Sequence, residues 1–390
     1  MKILRIIFCI AVAFMMLLCC SGCNSGGSGS SGGKEAVLEK MLDIRERELF
    51  DQLVECMKEV SEGKRTADAF YFTVSKPFAN KAEYEKSVKK IRDMMRYYVP
   101  EYSFWEDSSG YYIYDTSRCG IIFGISPAYL AIDGKVNSIL EVQKALSNAK
   151  KIADKYEGKN GYDKVIGYAK EICALNEYND EAADSDTLYY NNVDPWGMIY
   201  IFDGDPSTNS VCAGYTKAFK YLCDLGGIEC YAPTGDLDDG SHAWNIVVLD
   251  GVSYFVDVTN CDIFSEEDID RYHPLVMNGV AANTNDGFEV RYTSPAGSYS
   301  HTYTYDEEEM EYLPEDILVL STEGYVKKQP KTGAVIVIIL FIAVIIFYNI
   351  RKRKKLREFA ARMEAEYQAE QKAEQEAEQD HSQDIFSDPK

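Results

Sequence analysis

The chain has 390 residues, 46% of them hydrophobic, and a net charge of −22. That length allows one or two folded units with appendages. The charge argues against nucleic acid as the main partner, because phosphate binding needs Lys and Arg clustered on a folded face.

The first 23 residues read as a secretory signal. Lys2 and Arg5 form a basic start, Ile6 to Leu18 an apolar stretch, and Ser21 and Gly22 a small-residue end. The stretch "CSGC" also resembles a bacterial lipobox with Cys23 as the lipidated cysteine, although Cys20 stands where Leu is usual. Residues 24–34, rich in Gly and Ser, are expected to form a flexible linker.

An N-terminal mixed α+β subdomain is expected over 35–135. Apolar spacing predicts a helix over 35–62, a strand at "DAFYFTV", a helix at "KAEYEKSVKKIRDMMRYY" stopped before Pro100, and a hairpin at "SFWEDSSGYYIYDT". Two further helical patterns follow, at "VNSILEVQKALSNAKKIADKY" and "YDKVIGYAKEICALNEY".

In "SVCAGYTKAF", Ser210 is a candidate cap. Tyr215, Ala218, Phe219, Leu222 and Leu225 then follow at helical spacing, and Gly226 with Gly227 stops the run. Cys212 falls in the first turn, where unpaired N–H groups and the helix dipole favour a thiolate. Position alone leaves two readings open, a buried structural cysteine or a nucleophile.

The stretch "SHAWNIVVLDGVSYFVDVT" (241–259) holds two β-branched, aromatic-rich runs around Asp250-Gly251, the signal of a two-residue type I′ hairpin. In that register Leu249 opposes Val252 and Trp244 opposes Asp257, which makes His242 and Asp257 diagonal neighbours on one face. Asp257 lies in an apolar run, where an unpaired carboxylate is costly, so a partner is expected. The other histidines do not compete: His273 precedes Pro274, His301 sits in a polar stretch and His381 in the tail. "GDLDDG" (235–240) reads as an exposed loop without calcium-loop spacing, and no CxxC pair points to zinc. Seven cysteines lie beyond the signal region, an odd number for an exported domain.

A thiol at a helix start beside an oriented His–Asp pair is the arrangement of an activated nucleophile. Near the C-terminus, 333–350 is almost wholly apolar and reads as a transmembrane helix. The basic run Arg351 to Lys355 follows it and places 351–390, basic and then acidic, in the cytoplasm and the preceding domain outside. The tail's own partner is unreadable. "QPKTG" (329–333) resembles a sortase sorting signal, with Gln329 in place of the usual Leu.

The segments "VCAGYTKAFKYLCDLGGIECYAPTG" and "HAWNIVVLDGVSYFVDVT", in the order Cys, His, Asp, resemble the transglutaminase-like superfamily of papain-like cysteine enzymes, particularly its bacterial surface members. The likeness runs from about Tyr162 to Asp262, with "DPWGMIY" resembling the aromatic-Gly segment before the nucleophile. It implies an α+β fold over 136–325, with the cysteine helix packed on an antiparallel sheet that carries His and Asp. By the resemblance Cys212 is the nucleophile, His242 the base and acid, and Asp257 the orienting carboxylate. Oxyanion stabilisation and substrate positioning fall to the Cys212 N–H and to the segments around Trp196 and Trp244. The family pattern "D-x-T-W-D-D" is here "DVTNCD", so Asn260 and Cys261 replace Trp and Asp. The implied activity is on amide bonds of peptides or proteins through a thioester, with no cofactor and no metal. Peptidase or amidase chemistry is favoured over glutamine transamidation, and a non-catalytic binding module or a sensor relaying through the tail are the other readings.

Overall fold

The computed structural model describes residues 29–64, 69–105, 112–115, 120–124, 139–185, 195–265, 267–269, 275–284, 286–294, 297–307, 311–327 and 332–385. Cys23, the signal stretch 1–23, the 135/136 boundary and residues 329–331 of the sorting-like stretch lie outside them. Residues up to Tyr325 make one compact unit, and Val326–Lys390 a second.

Helix α1 (Gly29–Met41) begins inside the stretch expected as a linker. Leu38 and Leu42 are anchored in the core, and once a helix is nucleated each further turn back toward the N-terminus costs little. The single helix expected over 35–62 is broken at Asp43, which starts α2 (Ile44–Ser61) with a capping box. Its carboxylate accepts from the Arg45 and Glu46 amides, while Glu46 accepts from the Asp43 amide. Strand β1 (Ala69–Thr73) and α3 (Lys81–Tyr98) fall where expected, with Asn80 capping α3. Among the described residues of the hairpin expected over 103–116, no pairing within that stretch is seen. Its first residues belong to a 3-10 turn, Pro100–Trp105, and β2 (Tyr112–Asp115) pairs with the downstream β3 (Gly120–Gly124) in a sheet of order β1-β3-β2.

Helices α4 (Ile139–Lys155) and α5 (Gly161–Leu175) precede two single turns, α6 (Asp180–Ala183) and α7 (Ile199–Phe202). They pack around α8 (Cys212–Gly226), which is central to the unit: Tyr215, Ala218, Phe219 and Leu222 are wholly buried. Gly227, left-handed at φ 69°, ends α8 as the sequence predicted.

Two antiparallel sheets follow. One has the order β4-β7-β8, with β4 (Glu229–Tyr231), β7 (Asn245–Leu249) and β8 (Val252–Val256). The other has the order β6-β5-β11-β10-β9, with β5 (Thr234–Leu237), β6 (Gly240–Ala243), β9 (Val280–Thr284), β10 (Gly287–Ser294) and β11 (Gly297–Tyr305). Asp250 and Gly251, both at positive φ, make the two-residue β7–β8 turn, and Leu249 faces Val252 as predicted. Where a loop was expected, Asp238 and Asp239 take positive φ and close a tight β5–β6 hairpin, a conformation that Asp tolerates better than most residues.

The second unit contains one long helix, α10 (Thr332–Ile385), which carries the expected span and the tail without a break. Among the described residues no helix is long and apolar enough to cross a membrane. Side chains 332–338, the first part of the expected span, lie outside those described.

Candidate active site

Cys212 is the first residue of α8 and is half-buried. The expected cap at Ser210 is not made: Val211 holds the cap position without a side-chain bond, and the Ser210 hydroxyl is buried without a partner among the described residues. The preceding segment docks on this helix start instead. The Val211 amide donates to the Pro195 carbonyl at 3.0 Å. Gly214 permits the approach, since a Cβ there would meet that same carbonyl oxygen at 3.0 Å and Ser210 Cβ at 2.8 Å. Trp196, the residue after Pro195, is half-buried.

His242 stands on β6 and not on an extension of β7. The chain leaves the β7–β8 ladder after Asn245, and the Trp244 amide donates to the Pro233 carbonyl at 3.1 Å instead of pairing with the aspartate strand. The expected single sheet carrying both His and Asp is therefore two sheets: His242 pairs with Gly235 in the five-stranded one, and Asp257 lies just past β8 of the other. The side chains meet all the same, with His242 Nε2 at 2.9 Å from Asp257 Oδ2. The same ring is hydrogen-bonded to the Cys212 side chain.

Asp257 is fully buried and fully bonded. It caps the short helix α9 (Val258–Cys261) through Oδ1, which accepts from the Asn260 amide at 3.1 Å. Oδ2 accepts from Asn260 Nδ2 and from the Tyr303 hydroxyl, each at 2.7 Å, besides facing His242. Burial alone would raise this carboxyl's pKa; the charge and hydrogen bond of His242, then Asn260, hold it below the ordinary range. Burial would likewise depress His242, but the charge and hydrogen bond of Asp257, helped by Cys212, push it up to about 10. The ring thus holds its proton more tightly than an ordinary imidazole does.

Trp244 is wholly buried, its ring stacked beside His242 (centroids 6.3 Å apart, 18° between planes) and edge-on to Tyr303. Its place is in the packing of the site. Three groups were not assigned from the sequence. Asn260 was noted only as a departure from a pattern. Tyr303 shares the buried face of β11 with Tyr305, an alternation that "SHTYTYD" displays. Tyr178, in the loop after α5, hydrogen-bonds both the backbone and the side chain of Cys212, and burial followed by that thiol raises its hydroxyl to about 12. Nothing in "NEYND" signals such a role. Among the described residues no group of three or more His, Cys, Asp and Glu is disposed to hold a metal ion.

No family model matches this chain, and no curated protein matches it either. A solved structure described as "Crystal structure of a TGase" is similar over 41% of this chain and 47% of that protein, at 14% identity and a TM-score of 0.29. The chain therefore spans about half the length of that protein. What the sequence and the site establish together is a mixed α+β chain with antiparallel sheets, in which the side chains of a cysteine, a histidine and an aspartate stand in series.

Proposed function

We propose that the chain is a cysteine enzyme of the transglutaminase-like kind, acting on amide bonds of peptides or proteins through a thioester, with water as acceptor. The observation that carries this reading is the contact series Cys212–His242–Asp257, built at a helix start.

The Cys212 sulfur, as thiolate opposite the imidazolium, attacks the amide carbon. The carbonyl oxygen becomes an oxyanion beside the Cys212 N–H, which in the free site donates to the Tyr178 hydroxyl oxygen; the substrate oxygen takes over that N–H, and the Tyr178 O–H is then the second group at hand to donate to it. His242 then gives its proton to the leaving amine, and the thioester remains. Water attacks that thioester while His242 takes a proton from it, releasing a carboxylic acid and restoring the ion pair. Asp257 keeps the ring's orientation and charge throughout.

The membrane-anchored, extracellular placement is part of the same proposal. It is supported by the signal-like N-terminus, the basic run at 351–355 and the exposure of apolar Leu340, Phe341, Val344 and Phe347 on α10. The test of the chemistry is incubation of the full chain with a glutamine-containing peptide library, with and without a primary amine, read by mass spectrometry. Hydrolysed or deamidated peptides with an unchanged yield when amine is added support a hydrolase. Amine-bearing products would make it a transamidase, and no product from an intact, folded chain would leave the binding-module reading.

A further inference from the structure

Four of the cysteines outside the site stand in two pairs. In the first, Cys223 near the end of α8 and Cys230 in β4 have side chains in hydrogen-bond contact, and both are buried, 0% and 4% exposed. The left-handed turn at Gly227 brings them together. The Ile228 amide donates to the Cys223 carbonyl at 2.8 Å, and the chain re-enters as β4 two residues later. In the second pair, Cys173 on α5 contacts the thiol of Cys261, which ends α9. The Cys173 thiol also donates to the Val258 carbonyl at 3.7 Å, so it lies along the whole short helix.

We propose that the mature protein carries two disulfides, Cys223–Cys230 and Cys173–Cys261. In each, two thiols lose two protons and two electrons to a disulfide oxidant such as oxidised glutathione or an exported dithiol oxidase, which leaves as two thiols. The compartment implied by a secretory signal holds such oxidants. Contact with Cys261 and then burial push the Cys173 thiol up, and burial followed by contact with Cys230 does the same for Cys223, so exchange belongs to folding and precedes the packed state. Cys212, which faces His242 and Tyr178, belongs to neither bond.

The two bonds differ in what they restrain. Cys223–Cys230 closes a short turn and ties the end of the nucleophile helix to the adjoining sheet. Cys173–Cys261 closes the long segment that contains Cys212, His242 and Asp257. It pins α9, whose cap is Asp257 itself and which also carries Asn260. A longer closed loop removes more freedom from the unfolded chain. Reduction is therefore expected to lower the melting temperature, more through the second bond than the first.

The test uses the full chain, produced with its signal in an exporting host. It is denatured in excess N-ethylmaleimide without reductant, digested and mapped by mass spectrometry. The expected map shows Cys223 linked to Cys230 and Cys173 linked to Cys261, each pair two hydrogens lighter than its thiols, with Cys212 alkylated. Alkylation of all four residues, or linkages to any other cysteine, overturns the proposal. The map is independent of catalysis: the expected cross-links in a chain without hydrolase activity would defeat the enzymatic reading and leave this one standing.

Discussion

Tyr303 donates its hydroxyl at 2.7 Å to the same oxygen of Asp257 that faces His242. Tyr303 lies 46 positions from Asp257, and that buried carboxylate couples it to His242 and, through the imidazole, to Cys212. Tyr303→Phe removes a single hydrogen bond to a charged group, worth about 1.5–3 kcal/mol. If that energy is felt by the charged ring, kcat falls by about 10- to 100-fold. KM should stay unchanged, because Tyr303 is wholly buried. Steady-state kinetics of the variant check both numbers, with circular dichroism confirming the fold.

Tyr178 makes a different prediction. Its hydroxyl contacts the Cys212 backbone and side chain, which in the proposed mechanism puts it beside the oxyanion. Loss of one such donor typically costs a factor of about 10²–10³ in kcat. Tyr178→Phe is expected to reach the lower part of that range because the Cys212 N–H remains. Kinetics with an activated ester beside an amide read it: the ester, with its better leaving group, should be less affected.

Glycine substitutions separate steric from conformational effects. At Gly235 a Cβ would lie 1.8 Å from the Thr304 carbonyl oxygen, on the strand pair that delivers Tyr303. Gly235→Ala should cost more than about 4 kcal/mol or prevent folding. Gly251, at φ 79° with nothing within 4 Å of its Cβ, should lose only about 1–3 kcal/mol on substitution by Ala. Denaturant midpoints of the two variants give the comparison.

The pH dependence follows from His242. Its pKa rises on folding from 6.5 to about 10, so the native state holds the proton more tightly than the unfolded chain does. The stabilisation is complete below pH 6.5, declines as pH rises from 6.5 to 10, and is gone above. The carboxylate's depressed pKa describes the same ion pair from its other side: that stability is lost on acidification, as pH falls below the ordinary 3.8 and through the depressed value. Activity should persist well above pH 7 and fall near pH 10, when the imidazolium that protonates the leaving amine is lost. A pH–rate profile with its alkaline limb near 6.5 would contradict this.

Much of this was legible in the sequence, and the failures have physical causes. The limits of α8 followed from apolar spacing and Gly227, and Asp250-Gly251 fixed the β7–β8 register because both positions need positive φ. The diagonal argument named the His–Asp pair but placed both residues on one sheet. Pairing rules do not foresee that Trp244 turns its amide to Pro233 and so diverts the chain into a second sheet. Ser210 looked like a cap, yet tertiary packing against Pro195 displaced it. Tyr178 and Tyr303 act across long separations that neither periodicity nor a local motif can encode, and Asn260 gained its meaning only when Asp257 capped α9.

The central claim, that Cys212 is activated by an Asp257-held His242, is tested most directly by alkylation kinetics. The full chain is treated with iodoacetamide at pH 7 and modification at Cys212 is followed by peptide mass spectrometry, beside His242→Ala and Asp257→Asn variants of confirmed fold. Cys212 should react faster than a free peptide thiol, and His242→Ala should abolish the advantage, with Asp257→Asn between the two. A Cys212 that reacts no faster than a free thiol, at a rate unchanged by His242→Ala, would contradict the account.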